Sequence, residues 1–182
     1  MLRVFAAFFL VCLHACSTQT KPVRQDVYFD NPAWFKEEIG RKQKQNPELI
    51  KNLQVDKDTS HLTIRPESWE KELEVFLETD LNKAVYSGKF KTDTIRSGAG
   101  AQDSLTIRYT AKEEDINVRY YSVVLVQNRV RNLQAEILNT SPLLRSELKW
   151  SYWPDSGYSV QGSHEMKGIR SKHFLVNARY RF

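Results

Sequence analysis

From Tyr86 to Phe182 the chain repeats with a period of two, and that alternation constrains its fold more than any other feature. Successive side chains of a strand point to opposite faces, so one parity must line one face of a sheet. Tyr86, Gly88, Phe90 and Thr92 share a parity, as do Leu105, Ile107, Tyr109 and Ala111 in the next segment. The run Ile116 to Val126 changes parity near Tyr120-Tyr121, which predicts a bulge or bend. Leu133, Ala135 and Ile137 alternate next, then Leu144, Ser146, Leu148, Trp150 and Tyr152. After the turn signal Pro154-Asp155-Ser156-Gly157 come Tyr158, Val160, Gly162, His164 and Met166, and finally Phe174, Val176, Ala178, Tyr180 and Phe182. Short turns between such segments predict an antiparallel meander of about seven strands. One of its faces is apolar and needs a cover.

The cover is predicted upstream. Asn31 and Pro32 open a helix that ends near Gln45, with Trp34, Phe35 and Ile39 on one side. A second helix is predicted from about Pro66 to Leu81, where Trp69, Leu73, Phe76, Leu77 and Leu81 form an apolar stripe. Glu67, Glu70, Glu74, Glu78 and Asp80 make its opposite face acidic. Between the helices, Leu49 to Val55 and His61 to Ile64 flank the polar stretch 56–60 and predict a short hairpin, with continued helix as the competing reading. The expected fold class is therefore α+β: two helices packed on a curved antiparallel meander, in its sharper form a half-barrel, plus an N-terminal hairpin.

Residues 1–15 carry the export pattern: Arg3, the ten-residue apolar run Val4 to Leu13, then small residues. That run is about half the length of a membrane-spanning helix. Leu13-His14-Ala15-Cys16 resembles the lipobox of bacterial lipoproteins, with His14 standing where a small residue is usual. The resemblance implies cleavage before Cys16, lipid attachment on that cysteine, and a polar tether over 16–28 ahead of one domain over 29–182. Ser17 at the next position resembles the outer-membrane sorting type, and the absence of acidic residues in Ser17 to Lys21 favours a domain facing the periplasm. Acyl chains contribute about 0.8 kcal/mol per buried methylene, so stable anchoring needs at least two of them.

The cysteines of the 182-residue chain are Cys12 and Cys16, so the expected domain holds neither a disulfide nor a free thiol, and thiolate chemistry is excluded there. Net charge is +5 with the signs interspersed, without the basic stripe that marks nucleic-acid binding. His61, His164 and His173 lack metal-ligand spacing, and there is neither an HExxH nor a GxSxG motif. Gly98-Ala99-Gly100 lies between strands and opens no helix, so it is a turn instead of a phosphate cradle. The acidic helix side is a solvated face before it is an acid–base pair, since that chemistry needs a cleft. No catalytic residue, metal site or cofactor is expected. The run ending at Phe182 resembles the closing strand of an outer-membrane barrel, but the charges spread along the strands argue for a sheet outside the bilayer.

Two surfaces remain as candidates. Trp150 and Tyr152 have inward parity whereas Trp153 faces outward beside a turn, where an exposed indole can stack on sugar or grip a partner protein. Leu148, Trp150, Val160 and Phe174 share the other side. If that side is open it admits an apolar ligand, and if the helices fill it, it is core. The order of elements, with the lipobox, Trp34-Phe35 and the Trp69-to-Asp80 segment, resembles small envelope lipoproteins of Bacteroidota, a likeness that implies no particular activity. The expectation is a membrane-anchored, non-enzymatic binding or scaffold domain whose partner is another envelope protein. The alternatives are a carrier of lipid or another apolar ligand and, behind it, a hydrolase.

Overall fold

A computed structural model describes residues 28–98 and 103–182. Cys16, its leader and the tether up to residue 27 lie outside the described residues, as do Ala99 and Gly100 of the Gly98-Ala99-Gly100 turn, whereas Tyr28, expected in the tether, is buried against Phe90 and Tyr109. Among the described residues no helix is long and apolar enough to cross a membrane.

Helix α1 (Asn31–Gln45) is capped by Asp30, whose carboxylate accepts from the Ala33 N–H at 3.1 Å, one residue ahead of the expected cap. Asn31 is thereby freed for tertiary work. Fully buried, its Nδ2 donates to the carbonyls of Phe76 at 2.6 Å and Thr79 at 2.7 Å, and its Oδ1 accepts from the Tyr121 hydroxyl at 2.6 Å. The helix stops at Asn46, which turns left-handed with φ 42° ahead of Pro47.

The second predicted helix is two short ones, α2 (Trp69–Glu72) and α3 (Glu74–Leu77), so among the described residues there are three α-helices instead of two. Leu73, at φ −105° and ψ 9°, interrupts the helical ladder. Asn31 occupies the Phe76 carbonyl that a continuing helix would have used, so the turn ends there. The apolar stripe still reaches the core: Trp69, Leu73, Phe76 and Leu81 are all buried. A 3-10 turn at Ala84–Tyr86 follows.

The strands are β1 (Glu48–Val55) and β2 (Asp58–Ile64), then β3 (Phe90–Ser97), β4 (Ser104–Ala111), β5 (Val118–Val126), β6 (Arg129–Thr140), β7 (Leu144–Trp153), β8 (Gly157–Met166) and β9 (Lys172–Arg181). The meander β3 to β9 is present, its first strand starting at Phe90 because Tyr86 closes the 3-10 turn. The hairpin β1–β2 does not stand apart. β1 pairs with β9 from Glu48↔Arg181 to Val55↔Phe174, which makes one antiparallel sheet of nine strands in the order β2-β1-β9-β8-β7-β6-β5-β4-β3. β2 and β3 are its two edges. The expected irregularity in β5 is seen as register shifts at Val118/Tyr120 and Val124/Leu125.

The helices cover one face. Across it the row Tyr109-Tyr121-Ala135-Trp150-Val160 is buried from β4 to β8. Phe35 of α1 and Phe76 of α3 stack at 5.2 Å, and both meet the edges of Trp150 and Tyr152. Such aromatic pairs contribute about 0.5–1.5 kcal/mol each beyond the area they bury.

Candidate functional site

Two places hold enough chemistry to be weighed: a polar network under the helices, and the bare face of the sheet.

The network joins α1 and α2 to β1, β7, β8 and β9. Lys42 is 1% exposed, yet its Nζ donates to the Pro154 carbonyl at 2.6 Å and lies 3.5 Å from Glu38 Oε1 and 3.8 Å from the centre of the Tyr180 ring. Burial is the largest influence on Lys42 and holds its ammonium below the ordinary lysine value, against the pull of Glu38. Glu38 also accepts from the Tyr152 hydroxyl at 2.6 Å and from Arg41 Nε at 2.8 Å. Glu72, on the inner side of α2, binds Lys51 at 2.6 Å and the Tyr158 hydroxyl. Burial raises Tyr152, Tyr158 and Tyr180 above the ordinary phenol value, and neighbouring groups add to the shift for the first two. The innermost of these groups, Lys42, Glu38 and Tyr152, have partners and are covered from solvent. Their chemistry docks the helices, since an unpaired buried ion would cost several kcal/mol.

Of the five residues singled out in the sequence, four share the helix side. Trp150 is 2% exposed, its indole N–H donating to Thr79 Oγ1 at 3.3 Å, and Val160 is buried beside it. Leu148 and Phe174 are half-buried one row further out, where Phe174 lies across Gly162 and faces His164 at 6.0 Å. The helices therefore fill the middle of this face and leave an apolar rim. Trp153, 38% exposed, stands on the opposite face.

On that opposite face a pairing row of small polar side chains crosses six strands: Asn52, Asn177, Ser159, Ser151, Gln134 and Ser122. Asn52 is engaged by His61 of β2, 2.6 Å from its Oδ1. A hollow of about 470 Å³ lies over this row, with Trp153 on one wall, Arg179 opposite, and Gly157, Ser159, Asn177 and Asn52 beneath. Trp153, Gly157 and Arg179 are register partners on β7, β8 and β9. The residue between them is a glycine because its φ of 137° would drive a Cβ into the neighbouring strand, onto Ala178 O at 2.0 Å. The guanidinium of Arg179 has no ion-pair partner among the described residues.

A second hollow of about 490 Å³ adjoins it along the same strands, lined among others by Gln54, Gln161, Lys149, Glu147, Ser163 and His173. Lys149 is tied to Glu147 at 3.1 Å and to Glu136 at 3.6 Å, and the two carboxylates raise its pKa. His173 and His164 sit on neighbouring strands but on opposite faces, and among the described residues no group of three or more His, Cys, Asp or Glu is placed to hold a metal ion. Glu67, Glu70, Glu74 and Glu78 are exposed along α2 and α3, as expected of a solvated face.

Sequence reasoning found Trp153 but missed Asn52, Asn177, Ser159, Gln161 and Arg179. Their outward parity was visible. That β1 lies beside β9, which brings Asn52 and Asn177 together, was not. Compared with known proteins, the chain matches no family model, no curated protein and no solved structure.

Proposed function

We propose that this chain is an outer-membrane lipoprotein, held by acylated Cys16 and facing the periplasm, whose folded part is a non-enzymatic binding domain. The observation that supports it is an asymmetry between the two faces of the sheet. The helix side is filled by Phe35, Phe76, Trp150 and Tyr152, while the bare side carries two adjoining hollows in which polar side chains such as Asn177, Ser159, Gln161 and Arg179 meet apolar ones such as Trp153 and Leu175. Convergent polar groups in a concavity are the usual mark of a binding site. The anchor holds this face near the membrane, where an envelope partner is met at high local concentration.

Mass spectrometry of the mature N-terminus tests the anchor: acylated Cys16 is expected, and an unmodified cysteine overturns it. A photo-crosslinker placed at Gln161 in living cells tests the binding face against one at Lys36, exposed on α1. Adducts from Gln161 alone support the reading, and equal adducts from both overturn it.

A second reading, a carrier of lipid or another apolar ligand in a half-barrel, is favoured by the apolar rim of the helix side. There Leu53, Leu148, Phe174 and Val176 are half-buried and Val55 is 48% exposed. Lipid copurifying in native mass spectrometry supports this reading.

A further inference from the structure

We propose that the hollow between Trp153 and Arg179 is a glycan-binding site that takes a pyranose ring against the Trp153 indole. This rests on the reading of the bare face as a binding surface and names what it binds.

A sugar ring is amphipathic. Its C–H faces are apolar and its rim is a set of hydroxyls that both donate and accept. The hollow offers the matching chemistry. The exposed indole of Trp153 supplies a flat apolar wall. Asn177 and Ser159 carry uncharged groups with both donors and acceptors, and neither side chain is engaged within the protein among the described residues. Arg179, exposed and without an ion-pair partner among the described residues, adds a planar fork of donors suited to two neighbouring hydroxyls. The two walls stand on strands separated by one other, about 10 Å apart at the backbone. Gly157 in the middle carries no side chain, so the floor between the two walls is backbone.

A peptide fits less well. Extended peptides bind sheets by adding to a free edge, where main-chain groups are unpaired. The hollow lies instead over β1, β9, β8 and β7, each paired on both sides. Nor does the floor hold the apolar pockets that anchor a protein hot spot. The adjoining hollow, with Gln54 and Gln161, extends the same amide chemistry along the strands and gives room for further sugar units.

The probes are cellotriose, mannotriose and tri-N-acetylchitotriose, titrated into the ¹⁵N-labelled protein to about 10 mM, weaker than which a contact carries under ~3 kcal/mol. At least one is expected to shift the Trp153 indole resonance while those of Trp34, Trp69 and Trp150, buried or half-buried on the helix side of the sheet, stay in place. Trp153→Ala should weaken that trisaccharide at least tenfold, read from the backbone amides of Ser159 and Asn177, and Asn177→Ala severalfold, read from the Trp153 indole. Unchanged resonances of the three other indoles show that each variant is folded. The proposal is overturned if none of the three shifts Trp153, or if affinity survives both substitutions. Silence toward all three with a protein adduct at Gln161 removes the glycan and leaves the binding face standing. Silence with equal adducts from Gln161 and Lys36 removes both.

Discussion

Breaking the Glu38–Lys42 pair tests whether the network under the helices docks them on the sheet. Glu38→Gln retains an acceptor for the Tyr152 hydroxyl but strips the Lys42 ammonium of its counter-ion, leaving it the Pro154 carbonyl and the Tyr180 ring. Removing one member of a buried pair costs about 3–5 kcal/mol, and these surviving partners put the loss near the lower end, ~3 kcal/mol. Lys42→Met keeps the length and deletes the donor, leaving the Pro154 carbonyl unsatisfied for about 1–3 kcal/mol. Glu38 still has Arg41 and Tyr152, so that variant should lose ~2 kcal/mol. In the double variant neither charge is left alone. Its loss should be ~3 kcal/mol instead of an additive ~5, a coupling of ~2 kcal/mol. Urea unfolding followed by tryptophan fluorescence reads this directly. With a slope of about 2 kcal/mol per molar, the double variant should unfold about 1 M above the additive expectation. Additivity to within ~0.5 kcal/mol would show that the two charges do not interact in the core, and the docking role would fall.

Two further outcomes are expected. Trp150→Ala should cost about 3–5 kcal/mol because it opens a cavity among Phe35, Phe76 and Tyr121, whereas Trp153→Ala should stay within about 1 kcal/mol; equal losses in thermal unfolding would mean that Trp153 is core. The second concerns alkali. Tyr121, Tyr152, Tyr158 and Tyr180 are all raised, chiefly by burial, so the folded protein keeps protons that the unfolded chain loses above the ordinary value of 10.0. Their stabilisation is complete below pH 10 and is lost as pH climbs past it. At ~1.4 kcal/mol per pH unit each, four such groups remove about 5 kcal/mol per unit, the scale of a domain's whole stability. Lys42 acts in the opposite sense, its lowered pKa favouring the fold as pH rises toward 10.5, but it is one group against four. Phenolate absorbance and far-UV circular dichroism should therefore change together within about two units above pH 10. Phenolate appearing while the dichroism holds would refute this account.

Much of the architecture was local and therefore legible. Period-two alternation marks the seven strands of the meander, Asp56 at φ 52° and Gln127 at φ 51° stand in turns that the polar breaks announce, and Gly157 at φ 137° opens the strand after a third. The Trp69-Leu73-Phe76-Leu81 stripe showed which side chains enter the core, and Trp153 was visible as an outward indole. These follow from neighbours within a few residues, where alternation and turn chemistry act.

What depended on distant pairing was decided by the tertiary structure alone. Where the second helix stops turned on Asn31, 45 residues from Phe76, taking a carbonyl that a continuing helix would have kept for itself. Whether Trp150 and Val160 are ligand wall or core turned on where α1 and α3 lie, since parity assigns a face but not its cover. The hairpin's docking against β9 is the largest such decision. It turns a meander and a loose hairpin into one sheet, and sets Asn52 beside Asn177 under Trp153. The residues of the proposed glycan site were all readable in the sequence by face. The meander's own pairings make Trp153, Gly157, Ser159, Asn177 and Arg179 neighbours, and the closure of β1 on β9, a contact across more than a hundred residues of chain, adds Asn52 to the floor.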